Sequence, residues 1–344
     1  MVPILVTIDT EGHRGDDPIK KLIFGKTKDG YFGIEKIMDE FETVDAKILF
    51  FVDFAEAWDY GKDKVKKIVD TIISRGHDIG VHIHPDHMAD KNRLFLWEYS
   101  YDEQFDIIRK CTDLYFELVG KRPLSFRAGK YGANTDTLDI LEKLGYKYDF
   151  SEFYGQQWCK IDPYITINSP VRYGNMREFP VTMHQSVHIG RLVREDKLDI
   201  EGMTPKELKY AVEQVKQQDF PIVITLFFHS FSLLTWKDNP DNPVLNELKL
   251  NKLRKAISFI KGDPDIKLIR ESELDEVRVA DSVVARKSII KWESNLFGIR
   301  CTYQKAKNIY KFNKKAKLLV YLVRFMMVAV VICLLIILWS IFLR

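Results

Sequence analysis

The sequence predicts a parallel α/β domain, followed by one C-terminal helix long enough to cross a membrane. Short apolar runs alternate with helical patterns from residue 2 to about residue 272. Polar residues capable of chemistry follow directly after several of those runs; in a parallel barrel, strand ends share the face where active sites form. The final stretch, FMMVAVVICLLIILWSIFL over residues 325–343, carries no charge. About 20 apolar residues span a bilayer as a helix.

The elements are expected in the following order. Residues 2–8 form a buried apolar strand. Residues 33–42 have helical periodicity, and KILFFV at 47–52 is the next strand. Residues 65–74 are helical, and DIGVHIH at 78–84 alternates as a strand end does. A clear amphipathic helix covers 101–119, followed by a strand at 124–127, a helix at 135–144 and a strand at 146–150. Thr204 and Pro205 open a helix over 204–217, with an N-cap followed by proline at the first helical position. PIVITLFF at 221–228 is a strong strand, 250–261 a helix and 266–269 a last strand. No internal repeat is visible. Residues 1–275 therefore read as one α/β domain, 276–317 as a basic linker or surface-lying segment, and 318–344 as the anchor.

The chain has 344 residues and a formal net charge of +3, a balance that gives no argument for nucleic acid. A chain of this length buries a core without disulfide staples. Its four cysteines, Cys111, Cys159, Cys301 and Cys333, are scattered and form no CxxC pair. A disulfide framework or a cysteine zinc site is therefore not expected, which fits a reducing compartment. Before the apolar run lie Lys305, Lys307, Lys311, Lys314, Lys315, Lys317 and Arg324; only Arg344 follows it. The positive-inside rule places the basic flank and the domain before it in the cytoplasm. The opening MVPILVTIDTEG reads as a short strand rather than a signal peptide.

Four segments carry candidate chemistry. Residues 76–87, GHDIGVHIHPDH, hold four of the eight histidines. His82 and His84 stand two apart, so on a strand they share a face and both imidazoles can reach one ion. Neutral imidazole suits zinc, and also iron, cobalt or nickel. Asp9 and Glu11 likewise share a strand face, and two carboxylates there can divide roles between metal binding and base catalysis. Arg127 leaves a strand ahead of Gly129 and Gly132; it can pair with a buried carboxylate and keep it ionised. His229 follows a wholly apolar strand, where a histidine can serve as general acid or as a hydrogen-bonded core group.

In order and spacing these segments resemble the five motifs of the polysaccharide deacetylase family, also called the NodB-homology domain or carbohydrate esterase family 4. The resemblance covers roughly residues 2–272 and implies a distorted (β/α)7 barrel. The first motif appears as Thr7-Ile8-Asp9-Thr10-Glu11, which implies Asp9 as catalytic base and Glu11 as metal ligand. The second matches His77 to His82, but the position four after His82 is Asp86, where the family pattern has histidine. The run His82-Ile83-His84-Pro85 is similar to a divergent HxHP branch. His82 is a ligand by this resemblance. The third ligand lies among His84, Asp86 and His87, with His84 favoured. The third motif resembles Arg127-Ala128-Gly129-Lys130-Tyr131-Gly132, as in an FRAG branch; Arg127 would orient Asp9, and the Tyr131 region would offer a backbone N–H to the oxyanion. Asp149, in Tyr148-Asp149-Phe150-Ser151, would help tune His229, the fifth-motif histidine and general acid.

The resemblance thus implies a divalent ion, zinc foremost, and hydrolysis of an N-acetyl or other acyl amide on an amino sugar. With an anchored, cytoplasm-facing domain, lipid-linked or nucleotide-linked precursors of surface polysaccharides are the expected substrates. Tyr154, Trp158, Tyr164 and Trp236 could stack on sugar rings. Two other readings stay open: a deformylase of a lipid-linked amino sugar, and an inactive membrane-held carbohydrate-binding or assembly protein, which the altered second motif would suit.

Overall fold

The computed structural model describes residues 1–12, 16–161, 167–189, 191–236, 242–280, 290, 300–301, 303–307, 317–318, 320–326, 328–329 and 332. The strands are β1 (Val2–Thr10), β2 (Leu49–Asp53), β3 (Asp78–Ile83), β4 (Ser125–Ala128), β5 (Tyr148–Asp149), β6 (Val171–Tyr173), β7 (Met176–Glu178), β8 (Met183–Ile189), β9 (Leu192–Lys197), β10 (Ile224–His229), β11 (Leu234–Trp236), β12 (Pro243–Leu245) and β13 (Ile266–Ile269). The helices are α1 (Ile34–Glu42), α2 (Glu56–Tyr60), α3 (Lys62–Ser74), α4 (Tyr101–Val119), α5 (Thr135–Leu144), α6 (Pro205–Lys216) and α7 (Glu247–Gly262).

The main sheet runs β10-β1-β2-β3-β4-β5-β7-β6, with β13 also paired to β1. Every pairing from β10 to β7 is parallel, and only β6 turns back antiparallel on β7. β1 lies at the centre. Its residues Ile4–Asp9 pair with β10, while Val2–Leu5 pair with β13 and Thr7–Thr10 with β2. Ile4 and Leu5 have both β10 and β13 as neighbours, so β13 and β2 share the side away from β10. Strands covered on both faces need continuous apolar sequence. β1 and β2 are accordingly buried almost throughout.

Among the described residues no ladder joins β6 or β7 to β10. The gap is bridged by an isolated pairing of Asp199 with Phe227 and by hydrogen bonds between Thr182 and Thr225. The sheet is therefore a curved α/β half-barrel, a coarser form of the distorted (β/α)7 barrel that the resemblance implies. The expected strands and helices lie within a few residues of their predicted bounds. Ser100 caps α4 with its side chain, as Thr204 caps α6, and both helices open with a capping box. Pro205 occupies the first turn of α6 as anticipated. The short pairs β6–β7, β8–β9 and β11–β12 and the helix α2 were not anticipated. Each is only 3–7 residues long and too short for its periodicity to register.

The chain divides into two compact units, Met1–His184 with Asp196–Lys291, and Gln185–Glu195 with Trp292–Arg344. The sheet and its helices belong to the first. In the second, Ala306 and Val320 are buried and Tyr303 packs on them. Among the described residues no helix is long and apolar enough to cross a membrane. The expected span at 325–343 falls largely outside the described residues, and the basic segment at 308–316 wholly so.

One glycine on the sheet matters for the site. A Cβ on Gly80 of β3 would come 2.7 Å from Cε1 of Phe51 and 3.0 Å from the Ser125 carbonyl. Phe51 in turn packs its ring 4.2 Å below the Arg127 guanidinium. Gly80→Ala should lower stability by about 1–3 kcal/mol through overpacking. Thermal or urea unfolding measures this, and an unchanged midpoint would show that Phe51 yields freely.

Candidate active site

The parallel order puts the C-terminal ends of β1, β2, β3, β4 and β10 side by side. Asp9 is in register with His229 on one side and Phe51 on the other; Asp53 pairs with His82, and His82 with Arg127. Residues as far apart in sequence as 9 and 229 thus meet at one sheet edge.

Three side chains converge there. Oε2 of Glu11 lies 2.6 Å from Nε2 of His84 and 3.3 Å from Nε2 of His82. All three are buried, and their donor atoms fall within 4.8 Å of one another. Nδ1 of His82 is 2.8 Å from the Arg127 carbonyl, which can only accept, so that nitrogen carries the proton. In its neutral form His82 then aims the Nε2 lone pair at a carboxylate oxygen. Those two electron-rich atoms need a cation between them, a proton or a metal. Burial alone would raise the Glu11 carboxyl. The charge of His84, with hydrogen bonds from both histidines, overrides it and holds the group well below its ordinary range. His84 is thus the histidine that joins Glu11 and His82. His87 falls elsewhere, and Asp86 is not among the three.

Beside this cluster Asp9 meets Arg127. Nη1 of Arg127 donates to Oδ1 of Asp9 at 2.7 Å, and Nη2 donates to the Thr7 hydroxyl at 3.0 Å. The guanidinium is almost wholly buried, with the rings of Phe51, Phe227 and Phe150 within 4.2–5.8 Å. Aromatic faces solvate a weakly hydrated cation of this kind. Burial pushes the Asp9 carboxyl up, but Arg127, His82 and His229 together hold it below its ordinary value. Asp9 is therefore an ionised carboxylate 4.0 Å from Nε2 of His82.

On the other flank His229 stands with Nε2 3.9 Å from Glu11. Its ring stacks on Phe231, with centroids 4.8 Å apart. Its Nδ1 meets Oε1 of Glu201 at 3.0 Å. This corrects the expected role of Asp149. Glu201, and not Asp149, faces Nδ1 of His229. Asp149 accepts instead from the Ser151 hydroxyl at 2.7 Å, and that hydroxyl accepts from the Ala128 N–H at 2.9 Å. Asp149 thus braces the backbone one residue past Arg127. Glu201 was missed in the sequence because it lies in a short irregular connection with no motif around it. It is held by Ser232, at 2.8 Å, and by Lys249, at 3.4 Å. Burial lowers the pKa of His229, but the bond to Glu201 and the nearby Glu11 raise it above its ordinary value.

Lys130 and Tyr131 both adopt left-handed backbone conformations, with φ of 52° and 59°. Two such non-glycine residues in succession are uncommon, and strain of this kind gathers at functional sites. The Tyr131 hydroxyl is buried without a hydrogen-bond partner, and its ring packs edge-on to Phe153. Among the candidate sugar-stacking aromatics, Trp158 is exposed and lies near Phe95, whose ring stacks on Trp97. Tyr164 lies outside the described residues.

Residues 21–148 match the family model described as polysaccharide deacetylase. Over that span, about a third of its length, the chain is similar to the polysaccharide deacetylases. The matched span contains His82, His84 and Arg127; Asp9, Glu11 and His229 lie outside it. A peptidoglycan deacetylase-like protein of Gibberella zeae is 47% identical over 49 residues, a stretch covering 14% of this chain and 14% of that protein. A crystal structure assigned as a polysaccharide deacetylase from Mycobacterium smegmatis superposes with a TM-score of 0.55 at 14% identity, covering 83% of this chain and 94% of that one. The allantoinase Puue gives 0.53 at 13% identity, covering 79% and 88%. These two likenesses are of fold, and such a fold is shared by different chemistries.

The bond between Glu201 and His229 carries a pH prediction for the activity proposed below. A partner carboxylate raises the histidine pKa, so the protonated form survives to higher pH. Glu201→Gln removes that charge while keeping an acceptor, and the alkaline limb of kcat/KM should move to lower pH. A pH–rate profile identical to wild type would dismiss the coupling.

Proposed function

We propose that the chain is a metal-dependent hydrolase that removes an N-acetyl or related acyl group from an amino sugar. The observation that carries this reading is the convergence of Glu11, His82 and His84 between the Asp9–Arg127 pair and the Glu201–His229 pair. The deacetylase family match supports the reaction class.

The donor set fits a divalent ion. It consists of one carboxylate and two imidazoles, with the tautomer of His82 fixed by the Arg127 carbonyl. Such a set suits zinc, and also cobalt, nickel or iron. A divalent ion held there would polarise the acyl carbonyl and make water a stronger acid.

This chain's own residues supply the proton transfers. Asp9, kept ionised by Arg127, accepts the proton of the attacking water. His229, kept protonated by Glu201, donates to the leaving amine from the opposite flank. Backbone N–H groups at the strained turn of Lys130 and Tyr131 would steady the developing oxyanion. A donor of this kind commonly contributes about 2.7–4 kcal/mol. Asp149, through Ser151, keeps the end of β4 and hence Arg127 in position.

A saccharide substrate follows from the family, and exposed Trp158 offers a surface on which a sugar ring could stack. The apolar run at 325–343 and its basic flank support a membrane-held enzyme that acts on lipid-linked sugar precursors from the cytoplasmic side. This placement rests on the sequence alone.

Hydrolysis of N-acetyl amino sugars by the reconstituted chain is the test, run beside N-formyl analogues to settle the acyl group. Asp9→Asn and His229→Ala should each lower kcat by about 10²–10⁴. Full turnover by either variant would refute its assigned role. Chelation should abolish activity and added zinc or cobalt restore it; activity that survives exhaustive chelation would remove the ion from the scheme.

A further inference from the structure

A second cluster lies against the first and takes no part in the reaction just described. Asp53 ends β2, Glu56 opens α2, and His87 lies in the single turn Pro85–His87 that follows β3. Their donor atoms also fall within 4.8 Å of one another. Asp53 and Glu56 are wholly buried, and the His87 side chain is 9% exposed.

The bonding of each residue leaves one donor atom over. Oδ1 of Asp53 accepts from the N–H groups of Ala55, at 3.0 Å, and His84, at 3.4 Å. Oε1 of Glu56 accepts from the Gly12 N–H. Oδ2 of Asp53 and Oε2 of Glu56 are buried with no hydrogen-bond partner. His87 donates through Nδ1 to Asp59 at 2.7 Å, and Asp59 is in turn held by Lys91. That bond fixes the tautomer, so Nε2 keeps its lone pair; it lies 3.8 Å from Oδ2 of Asp53. A carboxylate behind the histidine is the arrangement found behind metal-ligating imidazoles.

We propose that Asp53, Glu56 and His87 hold a second divalent cation, distinct from the one assigned to Glu11, His82 and His84. Two buried carboxylate oxygens without partners are costly unless a cation neutralises them. A proton retained on either oxygen would need an acceptor within reach, and neither oxygen has one. Two carboxylate oxygens and one imidazole suit manganese, iron or zinc better than the all-oxygen shells of magnesium or calcium. The ion would tie α2 and the turn after β3 to the backbone of Gly12 and His84. It would thereby support the first site from behind without touching substrate.

Metal content of the full-length chain is the test, and it does not depend on the deacetylase reading. Stripped protein reloaded with zinc or manganese and desalted should retain about two equivalents per chain by mass spectrometry. Asp53→Asn with Glu56→Gln keeps the backbone acceptors and should fall to about one equivalent, as should His87→Ala. His82→Ala with His84→Ala should lose the other equivalent. Circular dichroism checks that each variant is folded. Wild-type content matching that of the Asp53/Glu56 and His87 variants would overturn the second site. Loss confined to those variants would uphold it and reject the first ion instead. Should the variants fail to fold, anomalous diffraction from manganese-soaked wild-type crystals decides: a peak among the three residues supports the site, and its absence overturns it.

Discussion

The site depends on one buried ion pair. Arg127 enters from β4, passes between aromatic rings and reaches Asp9 on β1, crossing the ends of β2 and β3. An isolated guanidinium could not be buried at this depth, nor could Asp9 stay ionised without it. Removing one member of such a pair typically costs about 3–5 kcal/mol, because the other is left charged and dry. The geometry around the pair accordingly serves to hold it. Thr7 takes the second guanidinium nitrogen, Gly80 leaves space for Phe51, and Asp149 and Ser151 fix the backbone just past the arginine.

Charge balance follows from that pair. Asp9, Glu11, Asp53 and Glu56 crowd the same sheet edge, and Arg127 neutralises one of them. Of the remaining carboxylates, Glu11 faces His82, His84 and His229, and Asp53 faces His87. Burial and mutual repulsion push the Asp53 carboxyl well up; burial does the same for Glu56, with Glu11 adding to it. Glu11 moves the other way because two imidazoles face it. Carboxylates on neighbouring strands therefore differ in character through what their second oxygen meets, with little change in depth.

The sequence disclosed the parts of this arrangement that strand periodicity controls. Apolar runs ending in Asp9, His82, Arg127 and His229 announce a parallel sheet whose active edge carries those residues, because register carries them to the same end. His82 and His84 were legible as a pair, since residues two apart share a strand face; that His84 meets Glu11 was left open there between His84, Asp86 and His87, with His84 favoured. Glu201 was not legible: it sits in an irregular connection, and only the tertiary path through Lys249 and Ser232 brings it to His229. Asp149 was misassigned because its place in the order of motifs says nothing of its distance across the sheet. Asp53 and Glu56 were hidden by resembling an ordinary strand end and helix start.

Two coupled pairs bracket the cluster of Glu11, His82 and His84, and their opposite polarity orders the chemistry. On one side Arg127 lowers the pKa of Asp9; on the other Glu201 raises that of His229. A base and an acid whose pKa values are pushed apart can coexist at one pH, as the proposed hydrolysis requires when it takes a proton from water and gives one to an amine. Neither pair achieves this alone. In that proposal, Arg127 without a flanking acid would leave the amine without a proton donor, and Glu201 without a flanking base would leave water unactivated. The order β10-β1-β2-β3-β4 sets His229 on the strand at one side of Asp9 and lets Arg127 reach it from the other, so the separation of acid from base is built into the strand order itself.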